Sequence, residues 1–392
     1  MTPPRVTKIS RPKSVEYAWS GLRRFHNTRR TTDILIKRHK IPVEHFANAK
    51  KQADQIRSCL LQAKEYFDAF QISSLATKPV HLYYACMLMA LAEILTKGSG
   101  NQSLDKLRDT HRHHGLLTNF DIRRTERGGL DPGLLRAKAH VSGDVKLGTF
   151  AVWQNLAKHP PLTGAVIRRF AGGGQSESVE TILESDTRVD QNFPVDGLSL
   201  IDCVTHIPYL WEHMRPLGIS VDLARTRIQL MAMESANEVT LRESFDIQPG
   251  NPTSIARAVE KIKIDPNLAA HTEIVEFRNG GISFRVTSHI YKKYTYENIE
   301  RYRIETPHGM NLTSKDVFLL GSHDFLNEFG FLYCGLYILG MISRYYPDLW
   351  MKEIQDSTDF SIIAEYFLDA ACHRLPILVL EQLSEEIILY DD

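Results

Sequence analysis

What this chain of 392 residues has little of narrows its chemistry first. It has no excess of either charge, since Lys plus Arg and Asp plus Glu both total 47. That balance argues against a general nucleic-acid coat or a polybasic membrane binder. Its five cysteines, Cys59, Cys86, Cys203, Cys334 and Cys372, stand too far apart for a metal-ligand or redox motif. Cys86 and Cys334 fall inside apolar helical runs, where a thiol serves as a small hydrophobe, and a reducing compartment fits this usage. The opening MTPPRVTKISRPK is basic, broken by proline and followed by no apolar stretch, so it does not read as a secretory signal. The longest uncharged run, Phe329–Ser343, falls short of the roughly 20 residues that span a bilayer. The expectation is a cytoplasmic protein with no membrane partner. Missing too are a G-x-G-x-x-G fingerprint, a phosphate loop, a Ser-His-Asp arrangement, paired carboxylates and any repeat of fixed period. No cofactor is implied.

What is present is unevenly placed. Residues 1–60 carry fourteen Lys or Arg against four acids, and residues 350–392 carry two against ten. Two explanations stand side by side: the two ends meet and neutralise each other, or the basic start meets a phosphate-rich partner.

Pattern divides the chain into four stretches. Residues 1–40 read as an extended basic arm and a first helix, with Trp19, Leu22 and Phe25 at helical spacing. Residues 41–139 are helical: Ala47, Ala53, Ile56, Leu60, Ala63, Phe67 and Phe70 recur near 3.6 residues. Then PVHLYYACMLMALAEILT is apolar on all sides, the mark of a helix buried among others. A polar helix through Leu104, Leu107 and His111 is expected to stop at Gly115. Residues 140–312 read as mostly β. VSGDVKLGTFAVW predicts short strands, VETILES a helix, Ser254–Ile264 a short helix, and the strands flanking Asn279-Gly280-Gly281 a hairpin. From 313 to 392 the helical pattern returns with FLNEFGFLYCGLYILGMISRYYPDLW, then two helices separated by Pro376. The fold class expected is α+β, with helical N- and C-terminal regions packed together and a mostly antiparallel β region inserted between them.

These blocks carry a likeness. HLYYACMLMALAEILT with HHGLL, and FGFLYCGLYILGMISRYYPDLW with HRLPILVLEQL, resemble the two signature regions of YaaC-like proteins, a bacterial family. The likeness runs from about Trp19 to the C-terminus and is loosest between residues 140 and 300. More locally, Pro79–Phe120 resembles the helical HEPN superfamily, many of whose members are metal-independent ribonucleases or toxins of bacterial defence. Their motif is Arg, four to six residues, then His. Here four residues separate Arg108 from His113 and five separate it from His114. That resemblance implies RNA as a partner, a site shared across a homodimer, and a role as a defence or stress effector. The rival expectation is a non-catalytic interaction subunit that docks a protein partner from the same system.

The segment RDTHRHHG holds two Arg and three His within eight residues. Metal-free RNA cleavage needs a base for the 2′-hydroxyl, an acid for the leaving oxygen and a cation for the phosphorane. Imidazole and guanidinium supply these. Arg108 is the candidate phosphate clamp and His113 or His114 the acid/base, with no choice between the two from spacing. The plainer reading is that a His before Gly caps a helix C-terminus. Arg112, Arg123, Arg124 and Arg127, with Arg136 and Lys138 beyond, are candidates for a nucleic-acid groove, although Asp121, Glu126 and Asp131 interleave with them and can pair the charge instead. AGGGQSES reads as a turn. His206 and His213, near Asp202 and Glu212, have the make-up of a weak metal site, but none is assigned. Tyr345, Tyr346 and Trp350 are expected to pack a helix end.

Overall fold

The computed structural model describes residues 5–98, 103–110, 113–143, 145–170, 177–183, 189, 192–234, 239–249, 256, 272–276, 282–290, 309–313, 316–320 and 325–391. The N-terminal part runs β1 (Arg5–Ile9), α1 (Ser14–Leu22), a 3-10 turn (Arg23–His26), α2 (Thr28–His39), α3 (Phe46–Ile72), α4 (Lys78–Lys97) and α5 (Leu104–Thr110). The middle holds β2 (Leu116–Phe120), β3 (Leu135–Ala139), β4 (Val141–Ser142), β5 (Val145–Lys146), α6 (Thr149–Leu156), β6 (Leu162–Phe170), β7 (Glu177–Leu183) and β8 (Leu198–Ser199). It continues with α7 (Leu200–Thr205), α8 (Trp211–Met214), β9 (Leu223–Glu234), β10 (Val239–Pro249), β11 (Thr272–Glu276), β12 (Ile282–Ile290), β13 (Gly309–Asn311) and β14 (Val317–Leu320). The C-terminal part is α9 (Glu328–Tyr345), α10 (Pro347–Gln355), α11 (Asp359–Ser384) and β15 (Glu386–Tyr390).

The all-round apolar sequences make the centre. In α9 every residue from Glu328 to Ile342 is buried. In α4 burial runs from Pro79 through Thr96 on more than one face. Each fully buried Leu, Ile or Phe contributes about 1.5–3 kcal/mol by leaving water, and this outweighs any amphipathic preference. Close approach needs small residues: a Cβ at Gly335 would overlap the Phe367 ring of α11. α4 packs against α3, α6, α9 and α11, and α1 against α11. One hydrophobic cluster draws on both helical ends and the inner faces of the middle. α4 is also long and apolar enough to cross a membrane by length and composition, but 72% of that window is buried inside the protein. Its apolar surface is already covered by other helices.

The inserted region is built on an eight-stranded sheet with the path β11-β12-β10-β9-β14-β13. β9 is its hub. β10 lies antiparallel along one edge. The other edge takes β14 antiparallel at Leu223–Thr226 and β6 parallel at Gln229–Glu234. β7 continues from β6. A smaller sheet, β2-β3-β8, and the β4-β5 ladder complete it. The fold is α+β, with helical ends packed together around a mostly antiparallel insertion.

Three local expectations need correction. The described part of VETILES, residues 179–183, falls on strand β7, because Val179, Thr181 and Ile182 are β-branched and a ladder to β6 is on offer. The second half of VSGDVKLGTFAVW is helix α6, entered at Gly148. Pro376 does not separate two helices: α11 runs unbroken over 26 residues. An interior proline costs about 3 kcal/mol, but Leu375, Pro376, Ile377 and Leu378 are all buried here, and that packing holds the helix together. The turn Asn279-Gly280-Gly281 and nearly all of Ser254–Ile264 lie outside the described residues, although β11 and β12, either side of the former, pair antiparallel.

The chain ends meet. β1 pairs in parallel with β15, from Arg5 opposite Glu386 to Ile9 opposite Tyr390. Arg38 of α2 lies 3.0 Å from Glu385.

Candidate functional site

The histidine-rich segment is placed by its backbone. Arg108 belongs to α5, while His111 and Arg112 lie outside the described residues. The carbonyls of His113 and His114 accept the N–H groups of Thr149 and Phe150, at 3.0 and 3.1 Å. These are donors in the first turn of α6, which have no partner within their own helix. Contact is close because Gly115 and Gly148 both take φ of +91°. A side chain at Gly148 would run into Gly115 and the His113 carbonyl. β2 then pairs with β3, which brings His140 back to the turn, where its N–H donates to the Gly115 carbonyl at 3.0 Å. The carbonyls of this turn thus cap α6.

The rings remain outside that clamp. His113 is exposed, with its ring 4.7 Å from His140 in an edge-to-face arrangement. His114 is half-buried, 5.8 Å from the Tyr83 ring. Burial, then the positive charge of Arg344, then His113 hold the His114 imidazole below its ordinary pKa, so its neutral form is favoured. Arg344, near the end of α9, donates to the Tyr84 hydroxyl at 2.9 Å and lies 5.1 Å over the Tyr345 ring. Tyr337 donates to the Leu116 carbonyl at 2.9 Å and ties α9 to the start of β2. Three imidazoles and a guanidinium thus come from segments far apart in the chain. Sequence reasoning missed His140 and Arg344. The signal for Arg344 was its place at the head of RYYPDLW; His140 carried none.

The downstream arginines are engaged elsewhere. Arg123 pairs with Asp121 at 2.5 Å. Arg124 donates to the Gly128 carbonyl and lies 3.1 Å from Glu353. Arg127 pairs with Asp359 at 3.2 Å, and Arg136 donates to the Gly197 carbonyl at 3.1 Å. Glu353 is fully buried; it accepts the Leu130 N–H at 3.1 Å and the Thr358 hydroxyl at 2.6 Å. It latches the 121–131 turn onto α10 and α11.

Other candidates resolve into structure. His206 is buried, stacked 4.6 Å from Phe331, with Nδ1 2.7 Å from the Asp202 carbonyl. His213 stacks beside Tyr209 at 6.1 Å. Among the described residues no group of three His, Cys, Asp or Glu could hold a metal. All five thiols are buried, and burial raises Cys59 to about 12 and Cys372 to about 11, which leaves them protonated and unreactive at neutral pH. Trp350 is buried and donates to the Ala76 carbonyl at 3.0 Å, packing a helix end. The glycine triplet of AGGGQSES lies outside the described residues. A groove of about 860 Å³ lies between α1, α3 and α11, and a basic pocket of about 390 Å³ sits between α2 and the end of α11.

The class these features define is an α+β protein whose two helical ends share one core and whose histidine turn is stitched to a helix of the insertion. The model of the family described as YaaC-like Protein matches residues 23–129 and 211–383, more than half of the chain, and the chain belongs to that family. No curated protein and no solved structure matches it.

Proposed function

We propose that this YaaC-like protein is an RNA-directed, metal-independent endoribonuclease of the HEPN type, acting in bacterial defence or stress. The observation that carries the reading is the exposed His113 ring beside His140, next to a His114 whose imidazole is kept neutral near Arg344. A neutral imidazole can take the 2′-hydroxyl proton. The 2′-oxygen then bonds to phosphorus, the bond from phosphorus to the 5′-oxygen breaks, and that oxygen receives a proton. The products are a 2′,3′-cyclic phosphate and a 5′-hydroxyl. His114 is assigned as base and His113 as acid, with Arg108 and Arg344 holding the phosphoryl oxygens. A homodimer would complete the site, as the HEPN likeness implies.

A second reading has its own observation. The Arg124–Glu353 and Arg127–Asp359 pairs, with the His113–Gly115 clamp on α6, use the same segment to hold helices together. That suits an interaction subunit.

The test is incubation of total cellular RNA with purified protein in excess EDTA, comparing wild type with Arg108→Ala, His113→Ala and His114→Ala. Cutting that survives EDTA and drops at least 100-fold in the histidine variants is expected, since acid–base catalysis is worth about 10²–10⁴. No cutting by wild type at micromolar concentration, alone or with lysate from the source cells added as activator, would remove the nuclease reading and leave the interaction subunit.

A further inference from the structure

Residues 23–40 hold seven Lys or Arg and a single acid, Asp33. Within α2, Arg30, Ile34, Lys37 and Arg38 recur at the spacing of one helix face. That face joins Arg24 and Phe25 of the preceding turn and residues 383–386 at the end of α11 and the start of β15 to form the pocket of about 390 Å³. Its lining holds four cations and two carboxylates.

Those cations are not equivalent. Arg38 is committed to structure: it donates to the Leu383 carbonyl at 2.9 Å, at the negative end of α11, and pairs with Glu385 at 3.0 Å. That pair also neutralises Glu385. Arg24 uses Nε on the Gly21 carbonyl at 3.1 Å and is otherwise exposed. Arg30 and Lys37 are exposed, and among the described residues neither has an acidic partner. The meeting of the chain ends therefore neutralises Arg38 and leaves the rest of this face positive.

We propose that the pocket between α2 and the end of α11 binds the phosphodiester backbone of single-stranded RNA, with Arg30, Lys37 and Arg24 as its phosphate contacts. The identity of the polyanion rests on the RNA-directed reading above. The concavity favours a strand that can bend into it over a duplex, which is stiff over about 150 base pairs. Half-buried Ile34 offers apolar surface beside the cations. Glu386 at the rim limits the site to a few phosphates and disfavours a flat anionic membrane.

The experiment is fluorescence anisotropy of the full chain with a labelled 2′-O-methyl oligoribonucleotide, which has no 2′-hydroxyl to attack and so reads binding alone. Each phosphate contact on a single strand is worth a factor of about 5 at 0.1 M salt. Arg30→Ala/Lys37→Ala is expected to bind about 25-fold more weakly and to flatten the salt dependence by about 1.4 log units per log unit of salt. Its melting temperature should match wild type, because both side chains are exposed. Equal affinity and equal salt slope in variant and wild type would overturn the proposal, as would no binding by wild type. The outcomes separate from those of the cleavage assay. Cutting with patch-independent binding removes the pocket and keeps the nuclease, while patch-dependent binding without cutting does the reverse.

Discussion

Two arginine-rich stretches, residues 23–40 and 121–131, look alike in composition and differ in what the fold does with their charge. In the second, Arg123 meets Asp121, Arg124 meets the buried Glu353 and Arg127 meets Asp359. In the first, only Arg38 finds an acid, Glu385, among the described residues. The difference lies in where each stretch docks. The 121–131 turn lies against α10 and the start of α11, which present carboxylates. α2 lies against the end of α11, which presents carbonyls and two glutamates. A count of basic residues is therefore no measure of the charge available to a ligand. Availability depends on the partner surface.

The largest effect that would break this comparison lies at Glu353. Removing it leaves the Leu130 N–H and the Thr358 hydroxyl without their acceptor in a buried place. Glu353→Ala is expected to cost about 3 kcal/mol, read as a lower midpoint in urea unfolding, since a buried charge-assisted network is disrupted. An unchanged midpoint would mean that the turn is not latched and its arginines are free after all.

A smaller effect sharpens the other half. The wall of the α2 pocket continues into β15, and Glu381 of α11 accepts the Ile388 N–H of that strand at 2.7 Å. Although Glu381 keeps some surface, burial pushes its carboxyl from 4.5 up to about 7, against the pull of Arg374 and the Ile388 N–H. Its folded state thus holds the proton more tightly than the unfolded state. The stability it contributes is complete below about pH 4.5 and is lost as pH rises towards 7. Thermal midpoints should decline across that window in wild type and less steeply in Glu381→Gln, which mimics the protonated form. Parallel slopes in the two proteins would dismiss the idea.

The smallest effects belong to the exposed pairs. Arg123→Ala and Arg127→Ala should each cost at most about 1 kcal/mol, because both members of each pair are solvated. Neither should change oligonucleotide binding, in contrast to Arg30→Ala/Lys37→Ala. A loss of binding in Arg127→Ala would reverse the ranking of the two stretches.

Much of the fold was legible because its strongest signals are local. α4 and α9 announce burial by being apolar on every face, and the strands flanking Asn279-Gly280-Gly281 announce pairing by alternation. Where local signal misled, contacts with a distant partner outweighed the local preference. Val179, Thr181 and Ile182 became strand because β6 offered a ladder, and Pro376 stayed helical because its neighbours are buried. At the candidate site the cluster of histidines was legible. Its assembly was not, since His140 and Arg344 reach His113 and His114 only through the β2–β3 ladder and the end of α9.

By itself the sequence determined the α+β class, the two central helices, the YaaC-like family and the residue types able to handle a phosphate, because periodicity and composition are properties of neighbours along the chain. Only the tertiary structure decided that the His113 and His114 carbonyls cap α6, that Arg124 and Arg127 are paired, and that Arg30 and Lys37 have no acidic partner among the described residues. Hydrogen bonds and ion pairs act over a few ångströms, and the partners in these cases stand tens to hundreds of residues away.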